Sequence, residues 1–141
     1  MVDTELLKKM SEKIEDGALD ISDVGEYLGL IIEIANESED IQEEVEGWDR
    51  TFQFKIEGGP SLWLKISDGK FESGEGVKDD ADVTLEMNAD VAAGIFSGEV
   101  DATSAYMGGD LKVLGPLPDA VKFRTLIEMV REEIEDLVDE L

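Results

Sequence analysis

The sequence predicts a fold that mixes helices and strands, with helices at both ends of the chain and strands between them. Apolar residues follow helical spacing in residues 6–48 and again in residues 121–141, whereas residues 52–66 alternate apolar and polar side chains as strands do. In residues 81–115, a strand, two short helices and a second strand follow one another with turn residues at each boundary. At 141 residues, the chain is expected to form one domain.

Two helices are predicted in the first third of the chain. A residue at positions 3–4 can cap the first helix, which is amphipathic and ends at Gly17. The second helix begins at residues 20–22 and carries an apolar stripe, with a possible break at residues 36–40. Tyr27 lies on this stripe, and we expect its ring to pack in the core with its hydroxyl group at the rim.

Five strands are predicted in the middle of the chain. The first two form a hairpin around a Gly-Gly-Pro turn, and the third contains glycine and is the weakest of the set. Trp63 alternates with Leu62 and Leu64, so it must lie on the opposite face of the sheet from those leucines. The predicted strands cover residues 52–56, 62–66, 71–77, 83–87 and 111–114.

Three further helices are predicted around the last strand. Asn88 can cap a helix that Gly98 ends, and a short helix follows over Asp101 to Tyr106. After two prolines, Asp119 can cap a final helix that extends to the end of the chain. The sequence thus divides into an acidic helical hairpin at residues 1–48, a sheet with inserted helices at 49–118, and a C-terminal helix at 119–141.

Residues 81–115 resemble the core of the sterol carrier protein type 2 family, and they read ADVTLEMNADVAAGIFSGEVDATSAYMGGDLKVLG. In that family, a strand with a small polar cap leads to an F/L-x-x-G-(K/E)-x-(D/N) helix end and then to an A-(F/Y)-(M/F)-x-G-(K/D)-L-K-(V/I)-x-G return strand. The resemblance covers roughly residues 47–126. It implies an α+β fold with a five-stranded, mostly antiparallel sheet covered on one face by helices. It also implies an apolar tunnel for a sterol, fatty acid or acyl chain.

The resemblance also implies where a ligand would contact the chain. The turn that holds Tyr106 and Met107 borders the tunnel in relatives, and flexible methionines suit an apolar ligand of irregular shape. Many relatives place a glutamine in this turn where this chain has Gly108, so a polar anchor for the ligand's head group is in doubt. The expected ligand-binding residues are Met87, Ile95, Phe96, Tyr106, Met107, Phe123, Leu126, Ile127, Met129 and Val130.

Composition and charge exclude several classes of function. The chain has no cysteine and no histidine, so it lacks a thiol nucleophile, the usual general base near neutral pH and the commonest transition-metal ligand. We therefore expect no enzyme activity, no metal and no cofactor. A net charge of −24, concentrated at the two ends of the chain, repels nucleic acid and anionic membranes. No segment suggests a stable membrane anchor or a signal peptide, so a cytoplasmic location is expected.

The sequence thus favours a non-catalytic carrier that holds a lipid or another long apolar small molecule. An alternative is a non-binding regulatory or protein-interaction module with the same fold and a filled core. A third possibility, an enzyme that uses carboxylate or tyrosine chemistry, is disfavoured by the missing histidine and cysteine. The apolar positions near the C-terminus could also pair with a second copy of the chain as a homodimer, or with the N-terminal helical hairpin.

Overall fold

A computed structural model describes residues 2–141 and shows an α+β architecture. Helices dominate both ends of the chain, and the strands lie between them. Within the described residues, no helix is both long enough and apolar enough to cross a bilayer. The helices are α1 (Thr4–Glu15), α2 (Ile21–Glu37), α3 (Glu39–Glu44), α4 (Ala89–Ser97), α5 (Ala102–Gly108) and α6 (Leu117–Asp139). The strands are β1 (Arg50–Glu57), β2 (Leu62–Ser67), β3 (Lys70–Glu75), β4 (Val83–Asn88) and β5 (Lys112–Leu114).

The five strands form one sheet in the order β3-β2-β1-β4-β5. The sheet is mixed, which corrects the expectation of a mostly antiparallel sheet. Its two central strands, β1 and β4, run parallel, with Phe54 opposite Leu85, while the outer pairs are antiparallel. The sequence pattern could not reveal this pairing, because alternation shows which face a side chain takes but not which strand lies beside it.

One face of the sheet is covered by helices and forms the core. The inward residues of β1, β2 and β4 are buried, and Phe52 and Phe54 are at most 1% exposed. The opposite face carries Trp63, as its alternation with the leucines predicts, and the Lys78 ammonium lies 4.3 Å from the centre of the Trp63 ring. Gln53 is also buried on that face, where its side-chain amide donates to the Leu62 and Gly76 carbonyls. Loop residues 76–78 therefore close part of the face that has no helices.

Capping residues set the helix ends near the predicted positions. The Asp3 carboxylate accepts hydrogen bonds from the first turn of α1, and Ser38 separates α2 from α3 within the predicted break. Asn88 caps α4 as predicted. The final helix begins at Leu117, two residues before the predicted cap, because Pro118 occupies its first turn and Asp119 takes another role.

Asp119 is buried and holds the start of α6 against β1. Its carboxylate accepts hydrogen bonds from the Trp48 indole at 3.0 Å and from the Arg50 guanidinium at 2.8 Å. Burial raises the pKa of this carboxyl, but the two hydrogen bonds and the charge of Arg50 outweigh burial and lower the pKa below its ordinary value. Two segments that are distant in sequence, residues 48–50 and the start of α6, are thereby joined at one point.

Candidate functional site

An apolar cavity of about 160 Å³ lies between the sheet and helices α4, α5 and α6. Its inner wall is aromatic. The ring centroid of Phe54 lies 5.6 Å from that of Phe96 and 5.4 Å from that of Phe123, so residues from β1, α4 and α6 meet there. Aliphatic side chains of β4 and the following helices complete the lining, namely Leu85, Met87, Ile95, Val100, Leu111 and Ile127.

The short connection from β4 into α4 and α5 forms one side of this cavity. The Asn88 carboxamide accepts a hydrogen bond from the Val91 amide, so α4 begins directly at the end of β4. Gly98 ends α4 with a left-handed φ of 89°, a conformation that favours glycine. A side chain at Gly98 would also collide with the guanidinium of Arg131, which lies directly over this residue. The glycine therefore lets α6 place an arginine at the edge of the cavity.

Charged side chains of α6 and α5 border the apolar lining. Arg124, Glu128 and Arg131 are spaced four and three residues apart, so they share one face of α6. Arg124 donates to the Thr103 hydroxyl and lies 3.8 Å from a Glu128 carboxylate oxygen, yet its Nε is buried without a hydrogen-bond partner. Arg131 forms no salt bridge within residues 2–141. Two of the three arginines of this strongly acidic chain thus border one small cavity.

Asp101, at the start of α5, is the other acidic residue beside this cavity. It accepts hydrogen bonds from the hydroxyl and the backbone amide of Ser104, which lower the pKa of its carboxyl. Asp101 is thus engaged in capping α5. Among the described residues, Arg131 is the cationic group at this cavity that forms no salt bridge.

A second apolar cavity of about 250 Å³ opens between α5, β5 and the start of α6. The two cavities adjoin, because Ala102, Leu111, Ala120 and Arg124 line both of them. Neither cavity alone reaches the roughly 300–1,000 Å³ of a typical ligand pocket. In the described part of the chain, a continuous tunnel of the kind that the resemblance implies is not shown; the space beneath the helices is divided into these two parts.

Seven of the ten predicted ligand-binding residues line one of the two cavities. The inner cavity is lined by Met87, Ile95, Phe96, Phe123 and Ile127, and the outer cavity by Tyr106 and Met107. Leu126 and Val130 are buried in the core, Met129 is partly buried, and none of these three lines either cavity. Their neighbours on α6 face the cavities instead. Contact with a ligand stays a prediction for all ten residues.

Sequence reasoning missed the polar part of this site and some of its walls. Phe54 and Leu85 were predicted as strand residues but not as cavity lining, because the sequence did not show that β1 and β4 are neighbours. The sequence pattern could have indicated Arg124 and Arg131 as polar groups beside an apolar site. Each stands beside apolar positions of an amphipathic helix, where Phe123 and Ile127 precede them in the chain.

Tyr27 is a second polar group close to this region. Its ring packs edge-on against Phe96 with 6.5 Å between centroids. The residue is fully buried and its hydroxyl has no hydrogen-bond partner among the described residues, so the expectation of a hydroxyl at the rim was wrong. Burial raises the pKa of Tyr27 to about 12, against a smaller opposing effect of the Arg131 charge. The helical hairpin packs more deeply on α4 than amphipathic spacing alone could show.

Comparison with known proteins identifies the family. The model of the SCP-2 sterol transfer family matches residues 31–128, which is more than half of the chain. This chain belongs to the SCP-2 sterol transfer family. The match begins within α2 and ends within α6, and it includes all five strands and helices α3, α4 and α5. The resemblance carried by residues 81–115 is thus confirmed.

The chain is similar to individual proteins of several kinds. It is 32% identical over 94 residues to hydroxysteroid dehydrogenase-like protein 2 of Bos taurus, a match that covers 64% of this chain but only 22% of that relative. A crystal structure of sterol carrier protein 2 superposes with a TM-score of 0.59 at 20% identity, covering 75% of this chain and 94% of that one. A solution structure of palmitated SCP2L2 from Aedes aegypti superposes with a TM-score of 0.54 at 19% identity, covering 72% of this chain and 90% of that one. At these identities the structural matches show a shared fold.

Among residues 2–141, no group of three or more acidic side chains is arranged to hold a metal ion. Most acidic residues are exposed on helices, strands and loops, while Asp23 and Asp119 are buried. The residues brought together at the cavities are apolar side chains and two arginines. This arrangement can bury an apolar chain and contact one anionic group.

Proposed function

We propose that this protein binds an acyl chain, a fatty acid or a sterol-like molecule reversibly and carries it without chemical change. The two adjoining apolar cavities beneath α5 and α6 are the observation that carries the proposal. Burial of apolar surface supplies the affinity, at roughly 25 cal/mol per Å². Membership of the SCP-2 family and the palmitated state of the Aedes aegypti relative support the same class of ligand.

A long ligand would occupy both cavities, because each is small on its own. The side chains that they share would then line the middle of the ligand, and Ala120 is the shared residue with the smallest side chain on α6. The outer cavity would take the far end of the apolar chain, because Arg131 borders the inner cavity. Arg131 would contact the head group if that group is anionic, since no carboxylate of the described residues pairs with it.

The first test is titration with a fluorescent fatty acid, which we expect to bind at micromolar or better affinity. Ala120→Leu narrows the junction of the cavities and keeps helix propensity high. If it displaces about two methylene groups of the ligand, at ~0.8 kcal/mol each, the affinity falls by about tenfold. Ala89→Leu is the matched control, because Ala89 is also on a helix and partly buried but lines neither cavity. Equal affinities for both variants and the wild type would contradict the proposed site.

The second test separates the head group from the chain. Arg131→Gln should weaken a fatty acid by about tenfold or more, since a hydrogen bond to a charged group contributes ~1.5–3 kcal/mol. The fatty alcohol of the same length should be almost unaffected. Lys65→Gln, which removes one positive charge on the opposite sheet face, controls for the change in net charge. If Arg131→Gln lowers the affinity for the fatty acid and for the fatty alcohol equally, Arg131 does not contact the head group.

Native mass spectrometry of the purified chain tests the proposal without a chosen probe. We expect a co-purifying apolar molecule whose mass identifies the ligand. If no ligand co-purifies and no chain length binds, the alternative of a regulatory or interaction module is favoured. The cytoplasmic location and the homodimer remain predictions. Cell fractionation would test the location, and sedimentation would test the homodimer.

A further inference from the structure

An exposed apolar surface surrounds the opening of the outer cavity. Four side chains on α5 and the first two turns of α6 form it: Met107 is 80% exposed, Val121 50%, Leu117 45% and Tyr106 43%. We name these four residues the α5–α6 patch. All four also line the outer cavity, so the patch and the cavity are one continuous apolar surface. Large exposed apolar side chains that cluster in this way usually mark an interaction surface.

The patch leads inward to the proposed ligand site. Ala102, Leu111 and Ala120 lie beneath it and line both cavities. An apolar molecule that leaves the inner cavity along this lining reaches the outside between the side chains of the patch. A partner that covers the patch would therefore also cover the exit of a ligand from the inner cavity.

The charge around the patch differs from that of the rest of the chain. Residues 102–126 contain two acidic and three basic residues, in a protein whose net charge is −24. One of the two acids, Asp119, is buried and paired with Arg50, which leaves Asp110 as the exposed acid of this segment. The patch is thus apolar and nearly free of the negative charge that covers the helical ends.

We propose that the α5–α6 patch docks on the surface of a lipid bilayer with neutral head groups. The inference rests on the proposed function, because a bilayer is the partner that can take an apolar ligand from this opening without exposing it to water. Tyrosine and methionine at the tip of α5 suit the interface between head groups and acyl chains. The negative charge elsewhere on the chain opposes docking on anionic bilayers, and the low charge of the patch permits neutral ones.

The test uses the full chain without added ligand and vesicles of phosphatidylcholine in a flotation assay. We expect the wild type to float with the vesicles. Vesicles that also contain phosphatidylglycerol should bind less protein at low salt and recover binding as salt screens the repulsion. Met107→Asp places a charge on the patch and should reduce the bound fraction by about tenfold or more. Val77→Asp is the matched control, since Val77 is 64% exposed and lies outside the patch.

Several outcomes would overturn the inference. The inference is wrong if the wild-type protein does not float with phosphatidylcholine vesicles. It is also wrong if Met107→Asp and Val77→Asp reduce the bound fraction equally. If sedimentation velocity instead shows a dimer that Met107→Asp dissociates, and vesicles bind neither form, the patch is an interface between copies. Fatty-acid titration without vesicles separates this inference from the proposed function: a protein that binds the fatty acid but does not float retains the function and loses the docking surface.

Discussion

Replacing Tyr27 by phenylalanine should stabilise this protein, although it removes a polar atom from the core. The Tyr27 side chain is 0% exposed and its hydroxyl has no hydrogen-bond partner among the described residues. In the unfolded chain, water satisfies that hydroxyl. An unsatisfied buried polar group costs about 1–3 kcal/mol, and the ring keeps its edge-on contact with Phe96 in the variant. We therefore expect Tyr27→Phe to raise the free energy of unfolding by ~1 kcal/mol at pH 7.

The same substitution should change how stability depends on pH. Burial raises the pKa of Tyr27 from its ordinary 10.0 to about 12 in the folded state, so ionisation opposes folding. The neutral phenol favours the folded state fully below pH 10, and this advantage is lost as the pH rises from about 10 to about 12. Each pKa unit corresponds to ~1.4 kcal/mol, so the wild type loses up to ~3 kcal/mol that Tyr27→Phe retains.

Urea denaturation followed by circular dichroism, at pH 7 and at intervals above pH 9, measures both effects. The difference between the variant and the wild type isolates Tyr27, because every other residue is the same in both proteins. Tyr106→Phe is the matched control, since Tyr106 is 43% exposed and water can satisfy its hydroxyl. A Tyr27→Phe variant that is less stable than the wild type at pH 7 would refute the reasoning and show that the buried hydroxyl has a partner.

Three further perturbations test other parts of the fold. Asp119→Asn should lower the free energy of unfolding by ~2 kcal/mol, since it weakens the charged hydrogen bonds from Trp48 and Arg50. Because the pKa of Asp119 is lowered in the folded state, the wild type should lose this advantage as the pH falls below about 4, which urea denaturation at pH 2–7 would measure. Ile134→Ala should cost ~2–4 kcal/mol in the same assay at pH 7, without changing fatty-acid affinity, because Ile134 is buried but lines neither cavity. Sodium chloride should raise the melting temperature in calorimetry, because the net charge of −24 opposes the compact state; a flat melting temperature would show that the charges are too dispersed to matter.

The last ten residues illustrate a difference between pattern and packing. Acidic residues dominate residues 132–141, a pattern typical of a solvated helix end that adds little to a core. The structure places Ile134 in the core, and α6 contacts α1. The cavity lining contributed by α6 ends at Arg131. Deletion of this segment should therefore destabilise the fold, because it removes the buried Ile134 side chain from the core.

Local patterns in the sequence determined the elements, their caps and the family. Asn88 and Gly98 mark the two ends of α4 by chemistry that acts within a few residues, so their roles could be predicted from the sequence and are confirmed. Alternation placed Trp63 opposite its neighbouring leucines for the same reason. The resemblance of residues 81–115 identified the family before any distance was known.

Tertiary structure alone decided the parallel pairing of β1 with β4, the burial of Tyr27 and the division of the apolar space into two cavities. Each of these depends on contacts between residues that are far apart in the chain. The site itself is of this kind, because Phe54, Phe96, Phe123 and Arg131 come from a strand and two helices. A periodic pattern specifies which face of an element is apolar, whereas the space that remains between such faces is set by how closely the elements pack.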